Sequence, residues 1–374
     1  MPKALRRMLA VGLALLAGTA AASEVRLGFA NPFTGPLAKS GEQNRVTIDL
    51  AIRMLNQHGG VLGDTVRLVA VDDGCDADRA ATAALELVKA GVVAVIGHMC
   101  SHASLMAAPV YEAAGIPMLT PDSTHPRLTE EGRPNVFRLI GRDDDQGRIA
   151  GDWLAGLKPI KTVAIVHDGS TYGSGLASAA RDELRRNDER EALFASYTPG
   201  ADRQTPLVER LIAAGIDVVY IAGYGPAAGR IAAELRERGA RMQIAGGDGL
   251  GGPEFWAEAG DAGEGVVFTA RPDVASAPAA TPVVEALRAL GLQMPATTLG
   301  AYAAVQVWAE AARRAGATDP VAVTAALHRG RFDSVLGRVA FDERGDLVGA
   351  VWRWRVWHLG RQEERPPTLA MRGQ

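Results

Sequence analysis

The stretch Val92-Val93-Ala94-Val95-Ile96-Gly97-His98-Met99-Cys100-Ser101-His102 decides the architecture. Its first five residues are apolar and mostly β-branched, with no polar alternation, so they read as a strand buried on both faces. Gly97 ends the run, and small polar residues lead into an amphipathic segment over 104–113 that reads as a helix. Strand, turn and returning helix make half of a βαβ unit. A strand buried on both faces implies a parallel sheet with helices on either side.

The unit recurs in both directions. Strand-like runs cover 25–29, 66–71, 92–96, 136–140, 162–166, 217–221 and 265–269, with shorter ones at 116–119 and 243–245. Helical patterns cover 41–57, 78–89, 104–113, 146–157, 173–186 and 226–238. This rhythm defines doubly wound α/β architecture, and so many units exceed one comfortable sheet, so two similar lobes are expected. The polar run Arg142-Asp143-Asp144-Asp145 reads as a solvated crossing between lobes, and Ala270-Arg271-Pro272 as a second. Lobe 1 is expected to hold 23–142 plus 272–350, and lobe 2 to hold 143–271 plus 351–374. Two helices follow near 282–290 and 297–315, and residues 338–358 read as a β-hairpin around the turn Asp342–Gly345. The polar tail after Arg361 is expected to fray.

The N-terminus sets the compartment. Lys3, Arg6 and Arg7 precede a short apolar core over 9–17, and Ala20-Ala21-Ala22 offers a small-residue cleavage site. Residues 1–22 therefore read as a signal peptide, too short for a membrane anchor and without a cysteine for lipid attachment, and the destination is the periplasm. The chain carries a net charge of −3, and loss of three cationic residues leaves −6. A mildly acidic, mixed surface argues against nucleic acid as a partner. Two cysteines, Cys75 and Cys100, read in an oxidising compartment as one disulfide, against the alternatives of a metal pair or a redox thiol.

In open α/β sheets ligands bind beyond the carboxyl ends of the strands, where helix N-termini offer free N–H groups. Ser101 stands at such a point, suited to a carboxylate, although alone it reads first as an N-cap. The loop Thr120-Pro121-Asp122-Ser123-Thr124 is stiff and hydroxyl-rich. Tyr172, Tyr224 and Asp248 follow later strands among glycines. No nucleophile elbow, P-loop or dinucleotide fingerprint occurs, so binding is favoured over catalysis. His98 and His102 are four apart but lack a carboxylate in register for a metal, and no cofactor is called for.

Together these segments resemble the type I periplasmic binding proteins of the branched-chain amino acid (Leu/Ile/Val) ABC-transport family. The likeness is carried by Thr34-Gly35-Pro36, Asp72–Asp76, Val95–Ser101, Thr120-Pro121, Asp145-Gln146-Gly147, Val166–Gly173, Gly223-Tyr224 and Asp342–Asp346. The resemblance implies two lobes joined by three crossovers, with one amino acid in the cleft and an inner-membrane ABC permease as partner of a monomeric carrier. It implies Ser101 and Thr124 on the ligand carboxylate, Asp248 on the ammonium, and Tyr172 and Tyr224 at the mouth, with Asp122 and Ser123 of the same loop as further ligand-binding candidates. Ser40 stands where the family often has an aromatic residue, Thr297 falls near another such position, and Asp122 replaces a small residue. These departures point to a cargo more polar than leucine. The alternatives are a periplasmic sensor or binding protein for an amide, urea or organic acid, and a secreted enzyme using Asp122, Asp248 and Tyr172 for acid–base work.

Overall fold

Strand β1 (Glu24–Asn31) pairs in parallel with β2 (Thr65–Asp72) on one side and β3 (Ala94–Gly97) on the other. Strands β4 (Met118–Thr120) and β5 (Val136–Arg138) complete a sheet of order β2-β1-β3-β4-β5. These positions come from a computed structural model, which describes residues 23–157, 161–292 and 298–366. Residues 1–22, which the sequence reads as a signal peptide, and Thr297 lie outside the described residues.

A second sheet repeats the plan. Strands β6 (Val163–His167), β7 (Leu193–Ser196), β8 (Val218–Ala222), β9 (Gln243–Gly246) and β10 (Val267–Ala270) run in the order β7-β6-β8-β9-β10, all parallel. Both series reverse direction next to their first strand, so each lobe has a topological switch point, between β1 and β3 and between β6 and β8. Along β6, Ala164 and Val166 enter one core while Val163 and Ile165 enter the other, which is why the run is apolar without alternation. The first sheet is likewise covered on both faces. One face packs around Phe29, Phe137 and Trp308, the other around Leu87, Val95 and Tyr111.

The helices cross between strands: α1 (Ala38–Gln57), α2 (Ala77–Lys89), α3 (Ser101–Ala113), the single turn α4 (Arg127–Glu130), α5 (Asp143–Ala155), α6 (Thr171–Arg186), α7 (Thr205–Ala213), α8 (Gly225–Glu237) and α9 (Pro253–Ala259). The chain then returns to the first core with α10 (Thr281–Ala289), α11 (Leu299–Ala315), α12 (Pro320–Arg329) and the ribbon β11 (Arg331–Ser334) with β12 (Gly337–Ala340). It ends on the second sheet, where β13 (Arg353–His358) lies antiparallel to β10, with β14 (Arg361–Glu364) at the edge. The main chain thus passes between sheets three times.

Three expectations are corrected. Residues 338–358 are not one hairpin: β12 pairs with β11, and β13 joins the other sheet after Trp352 donates its indole N–H to the Arg142 carbonyl at 3.0 Å. Asp143 is not solvated; it is buried at the start of α5, where a helix N-terminus favours negative charge. Residues 361–364 do not fray, since they complete the sheet edge. The structure also adds β7 and α7, which the sequence pattern left unread.

Cys75 and Cys100 form a disulfide across a separation of 25 residues. On the chain-entropy account such a loop contributes about 3–4 kcal/mol. It ties the loop after β2 to the residue preceding α3. Behind it, buried His98 holds Asp73 through Nδ1 at 2.7 Å and the Tyr111 hydroxyl through Nε2 at 3.0 Å. His102 Nε2 meets the Cys75 carbonyl at 2.6 Å. Both histidines thus serve to hold the loop that delivers Ser101.

Candidate functional site

The loops beyond the carboxyl ends of both sheets enclose a cavity of about 150 Å³ between the lobes. Ser40, Ser101, Asp122, Thr124, Tyr172, Tyr224 and Asp248, all expected from the sequence, lie on its wall. Ser123 does not. Its hydroxyl turns back to Ser104 Oγ at 2.7 Å and to the His98 and Met99 carbonyls at 3.1 Å. It steadies the loop from behind, because the two residues flanking it take the cavity side.

On the lobe 1 side, Ser101 is the first residue of α3, so its hydroxyl and N–H stand at the positive end of that helix. Its Oγ accepts the His125 N–H at 3.3 Å, and its own N–H faces the Tyr224 hydroxyl. Thr124 stands on the same wall and is buried. Its carbonyl accepts the Asp143 N–H at 3.0 Å.

On the lobe 2 side, Asp248 begins a short 3-10 turn after β9. Its Oδ1 accepts the Tyr172 hydroxyl at 2.8 Å and Gln146 Nε2 at 3.0 Å. Gln146 Oε1 in turn takes the Asp248 N–H at 2.8 Å and the Thr269 hydroxyl at 2.6 Å, which fixes the amide's orientation. Tyr172 therefore does more than border the mouth: it holds the carboxylate. Asp168 ties the two tyrosine loops together, accepting from Ser170 N at 2.9 Å and Tyr224 N at 3.2 Å, and the tyrosine rings lie 5.1 Å apart.

Burial raises the Asp248 carboxyl above the usual range, against the pull of Tyr172, Gln146 and Arg271. Asp143, buried beside it and linked through Gln146 Nε2 at 3.3 Å, is raised well above its ordinary value by burial and then by Asp248. Asp122 is raised to about 6, by burial first; Arg271 and Asn44 pull it down and Asp248 pushes it up. A cation beside Asp248 would offset its shift.

Several wall residues escaped the sequence reading. Ser40 and Asn44 share one face of α1, and the i, i+4 spacing was the available signal for Asn44, whose Nδ2 donates to Asp122 Oδ2 at 3.0 Å. Glu254, in the first turn of α9, reaches across the cleft. Its two oxygens accept the Ser40 N–H and hydroxyl, each at 2.7 Å. Gly252 makes the room, since a Cβ there would fall 2.7 Å from Glu254 Oε2. Arg271 directly follows β10, where the strand-end rule applies as it did to Ser101, yet it was read only as a crossing. Its guanidinium donates to the Pro121 carbonyl and lies 3.7 Å from Asp122 Oδ1. Arg355 on β13 donates to the Arg271 carbonyl at 3.0 Å and to Gln362 at 3.1 Å.

The chain has counterparts among known proteins. A model of the periplasmic binding protein family matches residues 24–356. An amino acid binding protein of Pseudomonas aeruginosa is 37% identical over 91% of this chain and 91% of its own. The leucine-, isoleucine-, valine-, threonine-, and alanine-binding protein of the same organism is 34% identical, over 90% and 91%. The crystal structure of a leucine binding protein, LivK of Thermotoga maritima, superposes with a TM-score of 0.84 at 27% identity, over 91% of this chain and 98% of that one. The chain belongs to the periplasmic binding protein family. It shares the two-lobed α/β build of its neighbours, and no helix among the described residues is long and apolar enough to cross a membrane.

Two outcomes follow from this wall. Glu254→Ala removes the direct Ser40 tie, so the ligand-free protein should open, read as a larger radius of gyration in solution scattering; an unchanged radius would show that the tie does not hold the cleft shut. Asp122 has a folded pKa of about 6, above its unfolded value. The native state therefore binds this proton first, and folding stability falls as pH climbs from about 4 to about 6 and stays lower above. Asp122→Asn should melt at a higher temperature than wild type at pH 8, with the gain shrinking toward pH 4. A gain independent of pH would contradict the assignment.

Proposed function

We propose that this protein captures an α-amino acid between its lobes and presents it to an inner-membrane ABC permease. One observation carries the reading: hydroxyl and N–H donors at a helix N-terminus stand across the cavity from a buried, hydrogen-bonded carboxylate. A zwitterion is the complement of that pair. Its carboxylate meets Ser101 and Thr124, where the helix end favours negative charge. Its ammonium meets Asp248, whose desolvated carboxyl regains the partner that burial removed. Tyr224 closes from the second lobe over the Ser101 amide. The named relatives, which bind amino acids, support the same cargo class.

The remaining parts follow from this role. Residues 1–22 act as a leader that delivers the chain to the periplasm, where the Cys75–Cys100 bridge persists. The lobes comprise 23–142 plus 272–350 and 143–271 plus 351–374 and close as hinged bodies about the three crossings. The carrier works as a monomer, and its acidic charge leaves nucleic acid without a footing.

Ser101→Ala combined with Thr124→Ala should weaken amino-acid binding by about a hundredfold or more, since both bonds go to a charged group. Titration calorimetry on protein refolded free of bound solute reads this, with a thermal melt to show that the fold survives. Undiminished affinity would remove the carboxylate site.

A further inference from the structure

Besides apolar residues such as Leu37, Met99 and Ile140, the cavity wall carries a set of charges. Arg271, Arg355, Asp122 and Glu254 supply them, with the amides Asn44 and Gln362. An aliphatic side chain placed there would keep water from these groups and return no hydrogen bond, which is unfavourable for each group left unpaired. The wall instead calls for a partner that hydrogen-bonds.

Charge counting narrows the partner. Two guanidiniums face two carboxylates, so this set is balanced without the ligand, and Asp248 remains for the α-ammonium. A side chain with a net charge would enter a low-dielectric site with no counter-ion. The cargo's side chain is therefore neutral. Hydrogen-bond counting narrows it again. Arg271 Nη1 and Arg355 Nε are buried N–H donors with no partner among the described residues. Asp122 Oδ1 has only the Arg271 guanidinium, at 3.7 Å, while Oδ2 is taken by Asn44. Arg271 and Asp122, both on the cavity wall, thus bring unsatisfied donor capacity and an under-occupied acceptor to the same place.

We infer that the cargo is an α-amino acid whose side chain ends in a carbonyl oxygen beside an N–H, a carboxamide or ureido group, with the oxygen on the Arg271 side and the N–H toward Asp122. This rests on the reading of the cavity as an amino-acid site. Arg271 is then the specificity-determining residue. It comes from the second crossing and reaches the lobe 1 loop at Pro121, so it meets the cargo only when the lobes are together. Gly300, in the first turn of α11, leaves space for it: a Cβ there would stand 2.3 Å from Nη1.

The test is titration calorimetry of refolded, solute-free protein with glutamine, asparagine, citrulline, leucine and glutamate, for wild type, Arg271→Met, Asp122→Asn and Ser101→Ala. At least one of the amide or ureido amino acids should bind wild type about tenfold or more tighter than leucine or glutamate. Arg271→Met should abolish that preference, and Asp122→Asn should reduce it without a change in fold. Leucine or glutamate as the tightest ligand of wild type overturns the inference, as does a preference untouched by either wall variant. If leucine binds best and Ser101→Ala abolishes it, the inference falls while the amino-acid reading stands. If no amino acid binds, or Ser101→Ala changes nothing, both fall.

Discussion

Arg138 lies with no exposed surface, and a guanidinium stripped of water must have its N–H groups placed. Its Nε donates to Asp346 Oδ1 at 2.8 Å, Nη2 to the Thr129 hydroxyl at 2.6 Å and Nη1 to the His125 carbonyl at 2.9 Å. The other oxygen of Asp346 accepts from Arg142 at 3.1 Å, at the first crossing, and the Arg142 carbonyl takes Trp352 at the third. Arg355 joins the third crossing to the second through the Arg271 carbonyl. Because these charges cannot be left unpaired in the interior, the three crossings are bound into one pivot. Under the proposed hinge motion, this pivot would keep the register between the loops that face each other across the cleft.

That register is what makes the cleft chemistry possible. A carboxylate on the lobe 2 wall is tolerable because Gln146 and Tyr172 both donate to Asp248 Oδ1, while Gln146 is itself held by the Asp248 N–H. Opposite it, α3 begins at Ser101 because the disulfide and the buried His98–Asp73 pair hold the preceding loop in place. One wall is poised for negative charge and the other for positive, at a spacing the pivot maintains. Between them, Arg271, Asp122, Asn44 and Glu254 share the cavity wall with Leu37, Met99 and Ile140.

Much of this could be read from the sequence, and the reasons are local. Strands covered on both faces announce themselves as unbroken apolar runs, and residues directly after them land at the cleft, which located Ser101, Tyr172, Tyr224 and Asp248. What escaped was set by tertiary context. Strand β7 is a short edge strand whose first two residues are only half-buried, so its pattern is weak. Ser123 shares its loop with Asp122 and Thr124, and only the path of the chain turns it away from the cavity. Glu254 and Arg271 have long side chains that act on the opposite lobe, and no periodicity reports where such a side chain ends. Asp143 looked like part of a solvated acidic run because burial depends on what packs over α5. The departures at Ser40 and Asp122 were visible, but their partners, Glu254, Asn44 and Arg271, emerge only once the lobes are folded together.

The most direct measurement is a crystal structure of the protein with its co-purified solute, identified by mass spectrometry. The account predicts an α-amino acid with its carboxylate on Ser101 and Thr124 and its ammonium on Asp248. A solute without that zwitterionic end, or one bound with its carboxylate away from the α3 N-terminus, would contradict it.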